Sequence, residues 1–190
     1  MSKIFPSVEM IQKELKYERN KLRFRVIIKN AIYSLIVVAA IAALVATLVL
    51  PVLQIAGSSM TPTLNSGDIV VLIKSKKLDR GDLCGFSYSN KILIKRVIGV
   101  PGDVISIDKD GTVYVNGDIL DEPYLADKAL GECDIEFPYI VPQESYFLMG
   151  DHRETSIDSR SSLIGSISND QIVGKIYLRV WPLSDFSFIK

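Results

Sequence analysis

Two side chains in this sequence have the chemistry of a nucleophile and of the base that activates it. Ser59 lies in the segment GSSMTPTL (residues 57–64), and Lys95 lies in KILIKRVIG (residues 91–99). A serine hydroxyl is a weak nucleophile until a base removes its proton. Burial among apolar neighbours would lower the pKa of Lys95, and a neutral amine could then act as that base near neutral pH.

Each residue taken alone also has a simpler interpretation. A serine among Ser, Thr and Pro residues is typical of a turn, and a strand lysine commonly extends its amine to solvent. His152 is the one histidine of the sequence, so a Ser-His-Asp triad would have to use it. Arg96 cannot serve as the base because its guanidinium stays protonated.

An uncharged apolar run, AIYSLIVVAAIAALVATLVL from Ala31 to Leu50, precedes the serine segment. About 20 apolar residues suffice for a helix to cross the roughly 30 Å hydrocarbon core of a bilayer, and Pro51 is expected to end that helix. A cleaved signal peptide would have a shorter basic leader and a shorter apolar core. We therefore predict a transmembrane helix over residues 31–51, which places Ser59 close to a membrane surface.

Basic residues are distributed unevenly around this run. After it the first basic residue is Lys74, whereas the residues before it include Lys3, Lys13, Lys16, Arg19, Lys21, Arg23, Arg25 and Lys29. Cytoplasmic flanks of membrane spans are enriched in Lys and Arg. This asymmetry predicts a basic cytoplasmic tail over residues 1–30 and an extracytoplasmic domain over residues 52–190. The mixed apolar and basic segment 8–29 is expected to form a helix along the membrane surface.

Composition narrows the possible functions. The 190-residue chain has a formal net charge of zero, so it lacks the basic footprint of a nucleic-acid-binding protein. Residues 52–190 are enough for one compact domain. Cys84 and Cys133 lack metal-ligand spacing, and they could either form a disulfide or stay as free thiols. We expect no metal and no cofactor, and the sequence indicates no oligomeric state.

The residues after Pro51 predict a mainly β domain. Short runs of β-branched and aromatic residues alternate with Gly, Asp, Asn and Pro, and no helical apolar period is sustained. We predict a partly closed antiparallel β-barrel, with a possible small cap over about residues 104–141. The predicted strands are Asp68–Lys74, Leu83–Tyr88, Lys91–Gly99, Val104–Asp108, Thr112–Asn116, Tyr146–Met149 and Ile172–Val180.

Smaller features of this domain can also be predicted. Asp110-Gly111 and Asn116-Gly117 have the composition of tight hairpin turns. The C-terminal segment KIYLRVWPL is expected to close the sheet, with Trp181 in the core.

Taken in order, these segments resemble the bacterial type I signal peptidases, which use a Ser-Lys dyad. The resemblance covers essentially the whole chain from the apolar run onward. It implies that Ser59 is the nucleophile and Lys95 the general base of a membrane-anchored serine endopeptidase. Such an enzyme removes signal peptides from secreted preproteins after small residues at −1 and −3. The blocks that carry the resemblance are GSSMTPTL (57–64), GDIV (67–70), KRVIG (95–99), PGD (101–103) and GDHRETSIDSR (150–160).

The resemblance implies supporting roles as well. Ser156 is expected to hydrogen-bond the Lys95 amine, and the backbone N–H of Ser59 is expected to bind the oxyanion. Gly57 stands where some members carry a serine that helps bind the oxyanion, so the second donor stays open. The expected ion-pair network consists of Asp151, Arg153, Asp158 and Arg160. The expected walls of the substrate pocket are Ile55, Met60, Leu64 and Ile94.

His152 departs from the family pattern, in which asparagine is usual. A histidine base occurs in the endoplasmic-reticulum branch of these enzymes, but Lys95 already occupies the base position here. Two rivals remain. A self-cleaving Ser-Lys repressor of the same broad fold would carry a DNA-binding helix-turn-helix in place of the membrane span. An inactive membrane-anchored β module would tolerate Ser59→Ala. The expected partners are preproteins and the lipid bilayer, with no nucleic acid.

Overall fold

The computed structural model describes residues 8–75 and 77–189, with the backbone alone for residues 45–49. Residues 1–7 of the predicted tail, Lys76 and Lys190 lie outside the described residues. The chain divides into two units that adjoin in sequence between Val49 and Leu50. The first unit is helical, and the second is built almost entirely from β-strands.

A single helix, α1, runs without a break from Val8 to Val49. It is long and apolar enough to cross a membrane, and its apolar window is not buried within the described protein. Its end at Val49 agrees with the helix end predicted at Pro51. Residues 8–29 are helical, as predicted, and they continue into the apolar run without a break. The sequence from Val8 to Val49 contains no Gly or Pro that would break the helix.

The second unit begins with strands that alternate with short loops. They are β1 (Val52–Gln54), β2 (Ile69–Ile73), β3 (Leu83–Tyr88), β4 (Lys91–Gly99), β5 (Val104–Ile107), β6 (Val113–Val115), β7 (Asp118–Ile119), β8 (Tyr139–Ile140), β9 (Ser145–Met149), β10 (Ile167–Ser168), β11 (Ile172–Trp181) and β12 (Ser187–Phe188). Every predicted strand is present, with ends shifted by no more than one residue. The β-branched runs bounded by turn residues therefore predicted the strands correctly.

An eight-stranded antiparallel sheet forms the larger layer, in the order β1-β2-β11-β3-β4-β9-β10, with β12 beside β11. Its edge strands β1 and β10 do not pair with each other in the described part of the chain, so the sheet is not a closed barrel. The prediction of a mainly β, partly closed fold is confirmed. Strand β4 lies between β3 and β9, so the strand that carries Lys95 is internal to the sheet.

A second, four-stranded sheet has the order β7-β6-β5-β8, and its strands fall within the range 104–141. The turn from β6 to β7 is formed by Asn116 and Gly117, whose φ angles are 56° and 92°. Two residues with positive φ between paired strands form a type I′ turn, as the Asn-Gly pair predicts. The β5–β6 connection contains Asp110 and Gly111, and the N–H of Gly111 donates to the carbonyl of Asp108 at 2.9 Å.

The two sheets share one apolar cluster. Ile98 of β4 and Phe147 of β9 pack together with Ile105 of β5 and Val113 of β6, and all four side chains are fully buried. Val141, which follows β8, completes the contact. Because these residues come from both sheets, the apolar cluster attaches the smaller sheet to β4, which carries Lys95, and to its neighbour β9.

Two further expectations concern Trp181 and the cysteines. Trp181 is 52% exposed, so its predicted place in the core is wrong. The register of β11 against β2 shifts between Arg179 and Trp181, which disturbs the alternation of buried and exposed positions. Of the alternatives for the cysteines, free thiols are found, with Cys84 buried and Cys133 partly exposed.

Truncation of Ile98 tests the shared cluster. We expect Ile98→Ala to lower the free energy of unfolding by about 2–5 kcal/mol, because it leaves a cavity where the sheets meet. Ile119→Ala removes the same atoms from a side chain that is 65% exposed and should change that free energy by less than about 0.5 kcal/mol. Urea unfolding of the full chain in detergent, followed by near-ultraviolet circular dichroism, measures both. Equal effects would contradict the assignment of Ile98 to a shared core.

Candidate active site

Ser59 and Lys95 are in contact. Ser59 lies in the turn after β1 and is partly exposed, whereas Lys95 lies in the middle of β4 and is 4% exposed. The Lys95 Nζ donates a hydrogen bond to the Ser59 Oγ at 2.8 Å. This distance is within the range for direct proton transfer between a nucleophile and its base.

The surroundings of Lys95 favour its neutral form. Burial is the largest cause and lowers the pKa of Lys95 to about 8. The nearby Asp158 carboxylate opposes this shift, the Arg160 guanidinium adds to it, and Asp151 opposes it again. Lys95 is therefore surrounded by charges that largely offset one another, and loss of hydration decides the direction of the shift.

The predicted hydrogen bond from Ser156 to Lys95 is not found. The Ser156 Oγ is fully buried and has no partner of good hydrogen-bond geometry among the described residues. The pKa of the Asp158 carboxyl is lowered. Burial would raise this pKa, but the hydrogen bonds and charge of Arg160, the N–H of Gly150 and, least, the nearby Ser156 hydroxyl outweigh burial.

The four charged residues predicted to form one network are all buried, but they pair differently. Asp158 and Arg160 do pair, with Nε–Oδ1 and Nη2–Oδ2 distances of 2.8 Å. Asp151 instead accepts two hydrogen bonds from Arg96, at 2.8 and 2.6 Å. The partner of Arg153 is the carboxylate of Glu122. All four residues are therefore in ion pairs, but Asp151 and Arg153 pair with residues outside the predicted set.

Sequence reasoning missed the residues that connect this network to the segment between β7 and β8. Glu122 pairs with Arg153 and accepts a hydrogen bond from the Tyr124 hydroxyl at 2.8 Å. The Arg96 guanidinium lies 3.8 Å from the centre of the Tyr124 ring, a cation–π contact. Arg96 directly follows Lys95 in β4, so these contacts fix the strand next to Lys95. No local sequence pattern indicated them, because Glu122 precedes Arg153 by 31 residues.

Gly150 directly follows β9 and lies close to the backbone of Ser59. A Cβ at this position would come within 2.6 Å of the Ser59 carbonyl oxygen and would also collide with the Ser156 side chain. The Gly150 N–H donates to the Asp158 Oδ2 at 2.9 Å. Next to it, the N–H of His152 donates to the Ser59 carbonyl at 3.1 Å. The turn after β9 therefore holds the backbone of Ser59.

His152 does not occupy the position of a base. Its ring Nδ1 is 2.7 Å from the Thr155 Oγ1, and no bond joins its ring to Ser59 in the described structure. Gly57 is exposed and has a φ of 90°. The backbone N–H of Ser59 has no hydrogen-bond partner within residues 8–75 and 77–189, so it stays available to an oxyanion.

A cavity of about 470 Å³ opens beside Ser59 and Lys95. Its lining comes from residues 53–57, 59–60 and 91–95, and it includes the predicted wall residues Ile55, Met60 and Ile94. Leu64 does not line it, contrary to prediction. Leu64 is fully buried and packs beneath the cavity against Ile55 and Met60.

The strands along this cavity each have an unpaired edge. Among the described strands, β1 pairs with β2 alone. Residues 91–95 of β4 pair with β3 on one side, and β9 pairs with β4 only from Arg96 onward. The cavity is therefore bordered by backbone N–H and C=O groups that an extended peptide could bind.

Known proteins with similar sequences identify the family. Residues 28–181 match the family described as signal peptidase, peptidase S26. The chain is 39% identical over 154 residues to signal peptidase IB of Staphylococcus aureus (strain MRSA252), which covers 70% of this chain and 79% of that protein. It is 32% identical over 174 residues to signal peptidase I of Bacillus licheniformis, with coverages of 83% and 92%. A crystal structure of a signal peptidase I from Enterococcus faecalis V583 matches with a TM-score of 0.45 and 29% identity, covering 52% of this chain and 96% of that one.

These matches define the chain as a hydrolase. It belongs to the signal peptidase family, peptidase S26, and it is a type I signal peptidase of the Gram-positive bacterial type. The apolar helix α1 together with this membership indicates a membrane-anchored protein.

Gly150→Ala tests the close packing behind Ser59. The added methyl group must displace the Ser59 carbonyl, and a shift of about 1 Å at a reacting group can lower kcat/KM roughly a hundredfold. Gly165→Ala is the matched control, because its φ of 61° strains the backbone but no atom lies within 4 Å of an added Cβ. We expect Gly165→Ala to retain most of the activity in the same peptide cleavage assay. Wild-type activity of Gly150→Ala would show that the contact does not position Ser59.

Proposed function

We propose that this protein is a signal peptidase in which Ser59 attacks the scissile bond and Lys95 is the general base. The observation that carries the proposal is the 2.8 Å contact between the Lys95 Nζ and the Ser59 Oγ, made by a lysine that is 4% exposed. The substrates are secreted preproteins, cut after small residues at −1 and −3. No metal or nucleotide takes part.

Lys95 carries a proton in each half of the reaction, first from Ser59 to the leaving amine and then from water to Ser59. Neutral Lys95 accepts the Ser59 proton as the Ser59 Oγ forms a bond to the −1 carbonyl carbon. The resulting ammonium gives that proton to the departing amine of the mature protein as the peptide C–N bond breaks, which leaves an acyl-enzyme. Lys95 then takes a proton from water as the water oxygen attacks the ester carbonyl carbon, and the Lys95 ammonium returns that proton to the Ser59 Oγ as the ester C–O bond breaks and the signal peptide leaves.

The N–H of Ser59 supports the tetrahedral intermediate in this scheme. A backbone donor aimed at the developing oxyanion can contribute roughly 3 kcal/mol to transition-state binding. Gly57 has no hydroxyl to act as a second donor, so another backbone group or water has to fill that role.

The cavity bordered by β1 and β4 suits the signal peptide side of the cleavage site. An extended segment can add backbone hydrogen bonds to the free edges of these strands. Ile55, Met60 and Ile94 line the cavity with apolar surface, which favours small apolar side chains at −1 and −3. The basic residues before the apolar run support a cytoplasmic N-terminus, with residues 52–190 on the outer side of the membrane.

The rivals from the sequence make different predictions for a single measurement. A self-cleaving protein shortens when it is incubated alone, so its intact mass falls with time. A binding module leaves both itself and added preproteins intact. Our proposal expects a constant mass of the enzyme and one new cut in the preprotein.

Substitution of the dyad gives the direct test. We expect Ser59→Ala and Lys95→Ala each to lower kcat/KM by at least about a thousandfold, because neither variant retains a nucleophile with its base. Lys95→Arg should be equally inactive, since a guanidinium stays protonated. The purified enzyme in detergent is incubated with a preprotein, and the products are read by mass spectrometry.

Ser58→Ala is the matched serine control. The Ser58 side chain is exposed, does not line the cavity beside Ser59 and Lys95, and is not one of those two residues. This variant should therefore cut at the wild-type rate. Activity that survives Lys95→Ala but disappears in His152→Ala would move the base to His152 and contradict the proposal.

The pH dependence follows from the lowered pKa of Lys95. The active form is the neutral amine, so kcat/KM should rise about tenfold per pH unit below the pKa and level off above about pH 8. His152→Ala should leave this limb unchanged. Initial rates with a peptide that does not titrate between about pH 6 and pH 10 provide the profile. A flat profile over that range would exclude a neutral-lysine base.

A further inference from the structure

The mechanism leaves one cavity near Ser59 without a role. It has a volume of about 390 Å³ and lies between the segment 126–129 and the turn 151–154. Thr61, two residues after the nucleophile, completes its lining. None of its lining residues belongs to the cavity beside β1 and β4.

The position of this cavity follows the direction of a bound substrate. The first cavity includes Ser59 and Met60, and the second begins at Thr61. The cavities therefore adjoin along the segment that carries the nucleophile. A preprotein with its −1 and −3 residues in the first cavity has its scissile bond at Ser59. The residues after the bond continue past Ser59, and the second cavity, which starts at Thr61, is next to that point.

The walls of the second cavity are fixed by buried contacts. Asp151 and Arg153 are buried and paired with Arg96 and Glu122, which immobilises the turn 151–154. On the opposite wall, Ala129 lies so close to Gly111 that a Cβ there would come within 2.6 Å of the Ala129 nitrogen. A cavity between two fixed walls is preformed for a ligand.

Charge gives this cavity a preference. The ion pairs of Asp151 and Arg153 neutralise those two residues, and the Lys128 Nζ lies 3.4 Å from the Thr112 Oγ1. Asp127 and Glu154 are exposed, and no ion pair or hydrogen bond of their carboxylates occurs within the described residues. His152 is the remaining titratable group of the lining. Among the described residues of this lining, two unpaired carboxylates therefore stand against the one lysine, whose amine is directed to Thr112, so the cavity attracts positive charge.

We propose that this cavity holds the first residues of the mature protein, and that Asp127 and Glu154 make the enzyme favour basic over acidic residues at +1 and +2. This inference rests on the proposed function, since it needs a peptide cleaved at Ser59. The attraction acts on the enzyme–substrate complex as well as on the encounter. The preference should therefore be visible in kcat/KM and weaken as salt is added.

A charge series of substrates tests the proposal. Three peptides share the same signal peptide side and carry Lys, Gln or Glu at both +1 and +2. At low ionic strength we expect kcat/KM to fall in the order Lys, Gln, Glu, with about a threefold to tenfold spread between the extremes, as for exposed ion pairs. The spread should shrink in roughly 1 M salt, where charges are screened within about 3 Å.

Variants assign the preference to this cavity. Asp127→Asn/Glu154→Gln should cleave all three peptides and abolish the spread, and Asp127→Lys/Glu154→Lys should reverse the order. Asp118→Asn/Glu136→Gln is the matched control, because it removes two exposed carboxylates that lie outside both cavities. The control should retain the wild-type spread.

The outcomes separate this inference from the proposed function. Equal cleavage of the three peptides by the wild type overturns the inference and leaves the signal peptidase function intact. The same is true of a spread that persists unchanged in Asp127→Asn/Glu154→Gln. Absence of cleavage of every peptide overturns the function and the inference together. If the double variants do not fold, the charge order and its loss in salt on the wild-type protein still decide the matter.

Discussion

Burial of the Lys95 amine away from water is the physical constraint on which the rest of the site depends. An ammonium ion in water stays charged near neutral pH, and only burial makes the neutral amine accessible. At Lys95 the strand β4 pairs with β3 on one side, and its pairing with β9 begins at the next residue, Arg96, so the amine is buried beside the end of the β4–β9 pairing. Asp158 and Asp151 oppose this lowering of the Lys95 pKa by burial, Arg160 adds to it, and Asp151 is paired with Arg96. An unbalanced carboxylate at this distance would restore the charge of the base.

The smaller sheet has a structural role in the same site. Its apolar side chains pack on Ile98 and Phe147, next to the strand of the base. The loop between β7 and β8 adds Glu122 and Tyr124, which contact Arg153 and Arg96. Removing one partner of such a buried pair leaves an uncompensated charge, which typically costs about 3–5 kcal/mol. The two sheets are therefore coupled through charges as well as through apolar packing.

Much of this arrangement could be predicted from the sequence, because it depends on local patterns. The strands follow from β-branched runs between turn residues, and the Asn116-Gly117 turn follows from the φ angles that its residues permit. The contact of Ser59 with Lys95 was implied by the resemblance to the type I signal peptidases, which the sequence blocks carry. The predictions that failed concern contacts between residues far apart in the sequence. Asp151 pairs with Arg96 and Arg153 pairs with Glu122, and neither partner belongs to the segment that was expected to pair within itself. A register shift in β11 leaves Trp181 exposed.

If a substrate pairs with the unpaired edges of β1 and β4, as proposed above, those edges also determine when it can be cut. A peptide can satisfy them only as an isolated extended strand, since its own backbone groups must be free. A precursor whose cleavage region has already joined a helix or a sheet has no such groups to offer. On this proposal, cleavage competes kinetically with the folding of the exported protein for the same residues. Cleavage would then take place while the newly exported chain is still unfolded near its junction with the signal peptide.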